Sequence, residues 1–301
     1  MLELRNPRIA IPVVLFAGLL WSFGPLVVRY MDNPQLVPWQ YIFGRGLTIF
    51  ILLNLYLFFE EGKNFYKNYY KIGLSGVIGG SGLGIAMITF IYSITNTSAA
   101  VTLLCLAAMP FFTALLAFLF LKEKISLNVW ISIIIASFGI IIMALGNTEE
   151  KSLIGFVFGL TSSIGFSVFS VSLRWRKETP KFTTVAFAGL FCFVFASIVI
   201  LTNKSVFFST SYNGALFSLH GTLVCFGLIL YSIGSKAIPA AELTLLSLTE
   251  VVGGIFWVWL PILGINEVPS TNTIIGGFFL FVSLFYYSLI MRWNKRFIAL
   301  N

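Results

Sequence analysis

The sequence predicts an all-α, polytopic membrane protein with ten transmembrane helices in two inverted five-helix repeats around a central cavity. Three observations lead to this fold class: an apolar composition, apolar segments of spanning length, and a weak internal repeat. Of the 301 residues, 58% are hydrophobic and 10% are charged, whereas a soluble domain carries about 25% charged residues. Because a single soluble core stops growing near ~250–300 residues, so much apolar surface is better accommodated in lipid.

Ten apolar segments have about the length that a spanning helix needs, roughly 20 residues. Period-2 alternation, the pattern of a membrane β-barrel, is absent. A helix satisfies its own backbone hydrogen bonds in lipid, so helices are expected. The predicted spans 1 to 10 are approximately residues 9–30, 36–59, 72–94, 99–121, 127–145, 153–173, 183–202, 213–233, 240–263 and 273–291.

The basic residues predict the orientation of these spans. With the N-terminus inside, the outer loops hold only Arg29, Lys151 and Lys204, and Arg45 lies within span 2. The other 15 of the 19 Lys and Arg residues fall in the inner loops or at the inner termini. This bias follows the positive-inside rule and places both termini in the cytoplasm. Since the net charge of +8 resides in these loops, it does not indicate a nucleic-acid partner.

A shift of 141 residues superimposes part of the first half of the sequence on the second. It places Gly18 on Gly159, Gly24 on Gly165, Gly73 on Gly214, Gly80 on Gly221, and Ala99-Ala100 on Ala240-Ala241. Coincidence in a glycine- and leucine-rich chain is the alternative. If the repeat is real, residues 1–147 carry spans 1–5 and residues 148–301 carry spans 6–10. An odd number of spans per repeat gives inverted topology, the architecture that many secondary transporters use for alternating access.

Four ionisable side chains lie within predicted spans: Arg45, His220, Glu242 and Glu250. A charge at the bilayer centre costs at least ~2.5–3.5 kcal/mol, so each must face the bundle interior, find a partner or become neutral. Arg45 and Glu250 both fall near the middle of their spans. They could pair, or they could hold the two ends of a zwitterion.

Each of these residues also has a structural interpretation. Arg45 could be an anchor that binds backbone carbonyls. Glu250 could carry a coupling proton. Glu242, at the inner end of span 9, fits a helix start or a gate better than a binding role. His220 could be a neutral imidazole bonded within span 8, or a proton relay or substrate contact.

Aromatic and helix-breaking residues mark the same spans. Trp21, Tyr92 and Trp257 are candidates for an aromatic wall that would also suit a cationic ligand, and Ser22 beside Trp21 adds polarity; packing is the alternative for each. Pro25, Pro110 and the pair Gly253-Gly254 predict helix breaks or gates, with a static kink as the alternative.

Several kinds of site are absent from the sequence. One histidine and three scattered cysteines do not form an ordinary zinc site. The GxSxG, HExxH and GxxxxGK[ST] patterns are missing. We therefore expect no enzyme activity, no metal and no cofactor.

One long stretch carries a family resemblance. Residues 94–126, with Ala99-Ala100, Pro110 and Glu123, resemble the signature of EamA-type transporters in the drug/metabolite transporter superfamily. Span 1 (GLLWSFGPLVVRY) and Arg45 in FGRGLTIFILL match its first two spans. The second copy keeps Ala240-Ala241, Glu250 and Glu267 but has Val251 where the family commonly has proline.

The resemblance implies a fold of ten helices in two inverted repeats around a central cavity. It also implies a secondary carrier in a bacterial inner membrane, and carriers of this family often export amino acids or related metabolites. It also implies a binding site around Trp21, Tyr92 and Glu250.

From these observations we predict a secondary transporter for a small polar or zwitterionic metabolite, working by alternating access, with export and proton coupling as candidate features. A monomer should suffice, although a dimer is compatible with the sequence. The alternatives are an exporter of aromatic or quaternary-ammonium cations, a membrane enzyme acting on lipid-linked substrates, and a non-transporting membrane subunit.

Overall fold

The computed structural model describes residues 6–123, 125–145, 152–176, 178–268 and 270–298. These residues form α-helices joined by short 3-10 and π turns, and none of them is in a β-strand. In chain order the helices are α1 Pro7–Trp21, α2 Gly24–Arg29, α3 Pro38–Glu61, α4 Lys67–Lys71, α5 Gly73–Asn96, α6 Ala99–Leu106, α7 Met109–Leu116, α8 Leu127–Leu145, α9 Ser152–Trp175, α10 Lys181–Thr202, α11 Ser211–Gly234, α12 Ala240–Leu246, α13 Thr249–Trp259 and α14 Thr271–Ile298.

Eight helical segments within this part of the chain are long and apolar enough to cross a membrane, and they coincide with predicted spans 1–4 and 6–9. They are Pro7–Arg29, Pro38–Asn64, Gly73–Asn96, Ala99–Leu121, Ile154–Trp175, Lys181–Thr202, Ser211–Gly234 and Ala240–Trp259. Two shorter apolar helices, Leu127–Ile142 and Ile274–Tyr287, lie at predicted spans 5 and 10. The protein is thus an all-helical, polytopic membrane protein, and the count of ten spans stays a prediction.

Spans 1 and 4 are each broken near the middle. The first break, at Ser22 and Phe23, separates α1 from α2 two residues before Pro25. The second, at Ala107 and Ala108, separates α6 from α7 two residues before Pro110. Proline lacks the backbone N–H that would continue the hydrogen-bond ladder, and its ring opposes the preceding turn.

Span 9 is also broken, but without a proline. Its break at Ser247 and Leu248 separates α12 from α13. The Ser247 hydroxyl donates to the Thr244 carbonyl at 2.8 Å, and the Thr249 hydroxyl donates to the Leu246 carbonyl at 3.2 Å. Such hydroxyl-to-carbonyl bonds compete with the helical ladder and bend helices.

The helix break predicted at Gly253-Gly254 is wrong, because α13 runs unbroken through both residues. These glycines instead permit close packing. A Cβ on Gly253 would lie 2.7 Å from the Cβ of Ser22, and one on Gly254 would lie 2.8 Å from Leu103 Cδ1. A substitution at either position therefore requires a neighbour to move.

Several helix pairs join a helix from the first half of the chain to a helix from the second half. Helix α5 of span 3 packs on α9 of span 6, and α11 of span 8 packs on α1 of span 1. Helix α3 packs on α10, and α8 on α14. Two repeats related by a twofold axis would give this pairing. It supports repeats at 1–147 and 148–301, whose boundary lies outside the described residues.

Candidate functional site

A cavity of about 60 Å³ lies where helices α1, α3, α5, α6, α7, α9, α11 and α13 meet. Its wall is mostly apolar, with ionisable side chains from three different helices. The lining residues are Trp21, Arg45, Leu83, Ala86, Met87, Phe90, Leu106, Met109, Ser162, Phe166, His220, Val224, Leu228 and Glu250.

The lining follows the 141-residue shift found in the sequence. Four pairs of lining residues are separated by that distance: Trp21 and Ser162, Leu83 and Val224, Met87 and Leu228, and Met109 and Glu250. The cavity therefore lies between corresponding positions of the two halves. This arrangement supports the repeat and identifies Met109 as the apolar counterpart of the Glu250 carboxyl group.

Arg45 enters the cavity from the third turn of α3. Its Nη2 donates to the Met87 carbonyl at 2.5 Å, while its Nε is buried and has no hydrogen-bond partner. The guanidinium carbon lies 5.8 Å from the ring centroid of Tyr41 and 6.0 Å from that of Phe90. The side chain is 3% exposed. The carbonyl bond fits the predicted anchor, and the free Nε leaves a donor for a ligand.

Glu250 enters from the first turn of α13, just after the break in span 9. It is 9% exposed and lines the same cavity as Arg45. The two side chains form no ion pair. In the described part of the chain the ion pairs are Arg29–Glu267 and Arg174–Glu123. The cavity thus holds a guanidinium and a carboxyl group that are not directly joined.

His220 is held from α11 by a contact with α3. Its Nδ1 shares a hydrogen bond with the Tyr41 hydroxyl, and both side chains are buried. The close approach of the two helices depends on Gly44 and Gly221. A Cβ on Gly44 would lie 2.8 Å from Phe217. His220 therefore has a partner on another helix, rather than the partner within span 8 that one interpretation expected, and it also lines the cavity.

Trp21 closes the cavity at the end of α1. Its Nε1 donates to the Val224 carbonyl at 3.3 Å. Its ring lies 5.4 Å, centroid to centroid, from both Phe166 and Tyr231. Gly227 of α11 provides the space, because a Cβ there would lie 2.1 Å from Trp21 Nε1.

Other candidates from the sequence do not line this cavity. Trp257 Nε1 donates to Ser22 Oγ at 2.8 Å, and the Trp257 ring stacks on Phe23 at 4.7 Å. Tyr92 packs against Trp39, with ring centroids 5.3 Å apart. Of the three residues predicted to form an aromatic wall, Trp21 lines this cavity, together with Phe90 and Phe166.

Glu242 also lies away from the cavity. It is in the first turn of α12, and its carboxyl group accepts a hydrogen bond from the Tyr287 hydroxyl of α14. This position and contact fit the helix-start interpretation of Glu242.

Sequence reasoning missed most of the apolar lining. On α5, Leu83, Met87 and Phe90 recur at helical spacing on one face, and the 141-residue shift carries Leu83 and Met87 onto Val224 and Leu228. Applying that shift to the spans around His220 would have identified these apolar lining residues from the sequence.

Within the described residues, no cluster of three or more His, Cys, Asp or Glu side chains could hold a metal ion. The three cysteines are buried and not disulfide-bonded. The site is a mostly apolar chamber with one guanidinium, one imidazole and one carboxyl group. Broken helices around such a chamber are found in membrane proteins that carry solutes.

Comparison with known proteins indicates a family of membrane transporters. Residues 8–145 match the sequence profile of the EamA-like transporter family. The match covers somewhat less than half of the chain and confirms the resemblance found in the sequence.

Curated relatives support the same assignment. An "Uncharacterized transporter" of Helicobacter pylori (strain J99 / ATCC 700824) is 29% identical over 164 residues, covering 54% of this chain and 52% of the relative. A protein of the same name from Clostridium kluyveri is 26% identical over 230 residues, covering 72% and 71%. The chain thus spans about half the length of the Helicobacter relative that it matches.

A solved crystal structure shares the fold. It superposes with a TM-score of 0.70 at 17% sequence identity, covering 96% of this chain and 100% of that one. At this identity the likeness concerns the fold alone.

Proposed function

We propose that the protein is a secondary transporter that carries a small zwitterionic, amino-acid-like metabolite across a bacterial inner membrane. The carrying observation is that Arg45 and Glu250 line one cavity without forming an ion pair. The proposed mechanism is alternating access, by rocking of repeats 1–147 and 148–301 about the cavity, with both termini in the cytoplasm. The proposed working unit is a monomer.

The electrostatic argument starts from the cost of buried charge. An ionised group in an apolar environment is expensive unless it is paired and hydrogen-bonded. Arg45 satisfies one donor at Met87 and leaves its Nε free. A zwitterion would supply a carboxylate for the guanidinium and an ammonium group for Glu250. These charge-assisted bonds are stronger than neutral ones.

The shape of the cavity restricts the ligand. About 60 Å³ is small, and much of the wall is formed by Met, Leu and Val side chains. Unbranched methionines such as Met87 and Met109 adapt their conformation easily. A small metabolite therefore fits after modest movements of side chains, whereas a large drug-like molecule requires the helices to separate.

Ligand binding by the purified protein tests the substrate class. Thermal unfolding in detergent is measured with zwitterionic amino acids, with matched carboxylic acids that lack the amine, and with matched amines that lack the carboxylate. A ligand that binds the folded state stabilises it in proportion to the logarithm of its concentration. We expect at least one zwitterion to raise the unfolding temperature more than either single-charge analogue. Equal effects of all three would contradict the proposal.

Proton coupling and export belong to the same proposal. Glu250 is an acidic group in the cavity, and Glu250→Gln removes its ability to release a proton. In proteoliposomes we expect the wild type, but not this variant, to respond to a pH gradient. Unchanged gradient dependence in the variant would exclude Glu250 as the coupling group. Counterflow from loaded vesicles of both orientations measures the direction.

An exporter of aromatic or quaternary-ammonium cations is the second candidate. Trp21, Phe90, Phe166 and Glu250 all line the cavity, and aromatic faces attract cations. The buried guanidinium of Arg45 opposes a cation that lacks a carboxylate. Competition between a quaternary ammonium compound and a zwitterion, in the wild type and in Arg45→Gln, separates the two candidates. The cation hypothesis predicts stronger binding of the cation by Arg45→Gln.

A further inference from the structure

Two ion pairs in the described part of the chain have matching positions in the fold. Arg29, at the end of α2, pairs with Glu267, which follows span 9, at 2.9 Å. Arg174, near the end of α9, pairs with Glu123, which follows span 4, at 2.7 Å. Each pair joins an arginine at the end of the first span of one repeat to a glutamate after the fourth span of the other.

The arginine of each pair also binds the end of a third helix. Arg29 Nη1 donates to the Ile94 carbonyl at 3.1 Å, and Nη2 donates to the Thr97 carbonyl at 3.2 Å, both at the C-terminal end of α5. These carbonyls have no partner within their helix, and a cation there also meets the negative end of the helix dipole.

Arg174 makes the corresponding contacts at the end of α11. Its Nη1 donates to the Ser235 carbonyl at 3.2 Å and to the Ile238 carbonyl at 2.8 Å. Ser235 and Ile238 lie 141 residues after the two carbonyl residues that Arg29 binds. The shift that relates the cavity residues therefore relates the carbonyls bound by the two arginines as well.

The pairs lie at opposite ends of the bundle. Counting alternate passes, the ends of spans 1, 3 and 9 reach one face, which holds Arg29 and Glu267. The ends of spans 4, 6 and 8 reach the other face, which holds Arg174 and Glu123. On one face Arg29 binds the end of α5, and on the other Arg174 of α9 binds the end of α11. Helices α5, α9 and α11 all line the cavity.

We propose that Arg29–Glu267 and Arg174–Glu123 are the two gates of the transport cycle, each holding one side of the cavity closed. Both pairs are formed in this structure, so under this proposal neither gate is open. The cycle then opens one gate while the other stays formed. This inference rests on the proposed alternating-access function, but its test needs no substrate.

The environment of the pairs suits gates. The four side chains are 21–28% exposed, so water can replace each partner when the pair separates, and the attraction is weaker than that of a fully buried pair. Removing either partner should therefore favour opening without preventing folding.

The experiment measures access to the cavity from each face. Ser162→Cys introduces a thiol into the cavity wall, and the native cysteines, which are buried, give the background in its absence. A membrane-impermeant thiol reagent is added to vesicles of either orientation. We expect Arg29→Gln to increase labelling several-fold from the Arg29 face and not from the other face. Arg174→Gln should do the reverse.

Matched controls remove an exposed cation on each face. Lys204→Gln serves the Arg29 face and Lys63→Gln the Arg174 face; both side chains are exposed, and neither substitution should alter labelling. If an arginine variant fails to reach the membrane, Glu267→Gln or Glu123→Gln removes the same pair from its other side.

Unchanged labelling in the gate variants, or an equal increase from both faces, would overturn the gate assignment. If the labelling is one-sided but no zwitterion stabilises the protein, the gates stand and the proposed substrate fails. If zwitterions bind but labelling is not one-sided, the gates alone fail.

Discussion

Trp21 and Ser162, which lie 141 residues apart, each donate a hydrogen bond to a backbone carbonyl of the helix packed against them. Trp21 Nε1 donates to Val224 of α11 at 3.3 Å, and Ser162 Oγ donates to Ala86 of α5 at 2.9 Å. The two bonds join α1 to α11 and α9 to α5 beside the cavity. They therefore combine a structural role with a place in the wall of the site.

The Trp21 contact predicts the effect of Gly227→Ala. The new Cβ would lie 2.1 Å from Trp21 Nε1, so the indole must move and lose its bond to Val224. We expect a loss of stability of about 1–3 kcal/mol, the usual cost of overpacking, together with weaker ligand binding. Thermal unfolding in detergent measures the first and ligand-induced stabilisation the second. Gly277→Ala is the control, because a Cβ there meets nothing within 4 Å.

Arg45 variants separate the anchor interpretation from the ligand interpretation. Arg45→Lys keeps the charge but loses the planar fork that binds a carboxylate in two places. A lost hydrogen bond to a charged group is worth about 1.5–3 kcal/mol. We therefore expect Arg45→Gln to weaken zwitterion binding by roughly 10- to 100-fold, with an intermediate effect for Arg45→Lys. A fall in unfolding temperature with unchanged affinity would indicate an anchor alone.

Proline substitutions locate the break in span 9. Val251 is in the first turn of α13, where its N–H donates to the Leu248 carbonyl at 3.0 Å, so a proline there removes one hydrogen bond but does not interrupt the helix interior. Ile255 is in the interior of α13, where a proline costs ~3 kcal/mol or more. We expect Val251→Pro to accumulate in the membrane and to lose about 0.5–1.5 kcal/mol, the net worth of one hydrogen bond, and Ile255→Pro to be destabilised much more strongly. Equal damage from both would place the break elsewhere.

The contact between Trp257 and Ser22 predicts a small polar effect and a larger packing effect. Trp257→Phe removes the donor to Ser22 Oγ and retains a ring to stack on Phe23. Interhelical hydrogen bonds in membranes average ≈ 0.6 kcal/mol, so we expect a loss of about that size. Trp257→Ala also removes the ring and should cost about 3–5 kcal/mol if the site cannot collapse. Chemical unfolding in mixed micelles measures both.

Much of the fold follows from local properties of the sequence. Apolar segments of spanning length predicted the helices, and the breaks in spans 1 and 4 lie two residues before Pro25 and Pro110. The sequence predicts the break in span 9 at Gly253-Gly254, but α13 runs through both glycines. Glycine is compatible with a packed membrane helix. The observed break involves the hydroxyl groups of Ser247 and Thr249, whose effect depends on rotamers that a sequence does not specify.

The ionisable residues of the site could be predicted from the sequence, whereas most of its apolar residues could not. Charges are rare in lipid, so Arg45, His220 and Glu250 stood out, and all three line the cavity. Apolar residues that face the cavity or the lipid are chemically alike, so the orientation of each helix about its axis decides between them. Tyr92 and Phe90 are two residues apart on α5, on nearly opposite sides, and it is Phe90 that lines the cavity.

The break between α1 and α2 makes the two sides mechanically unequal. Arg29 is the last residue of the six-residue helix α2. The gate at Arg29 can therefore open by a rotation of α2 alone about the break at Ser22 and Phe23. Arg174 belongs to α9, an unbroken helix of 24 residues. The gate at Arg174 can therefore open only if the whole of α9 tilts. Because one proposed gate moves a short helix and the other a whole spanning helix, we expect the two gates to open at different rates. The proposed transport cycle would then be asymmetric even without an ion gradient.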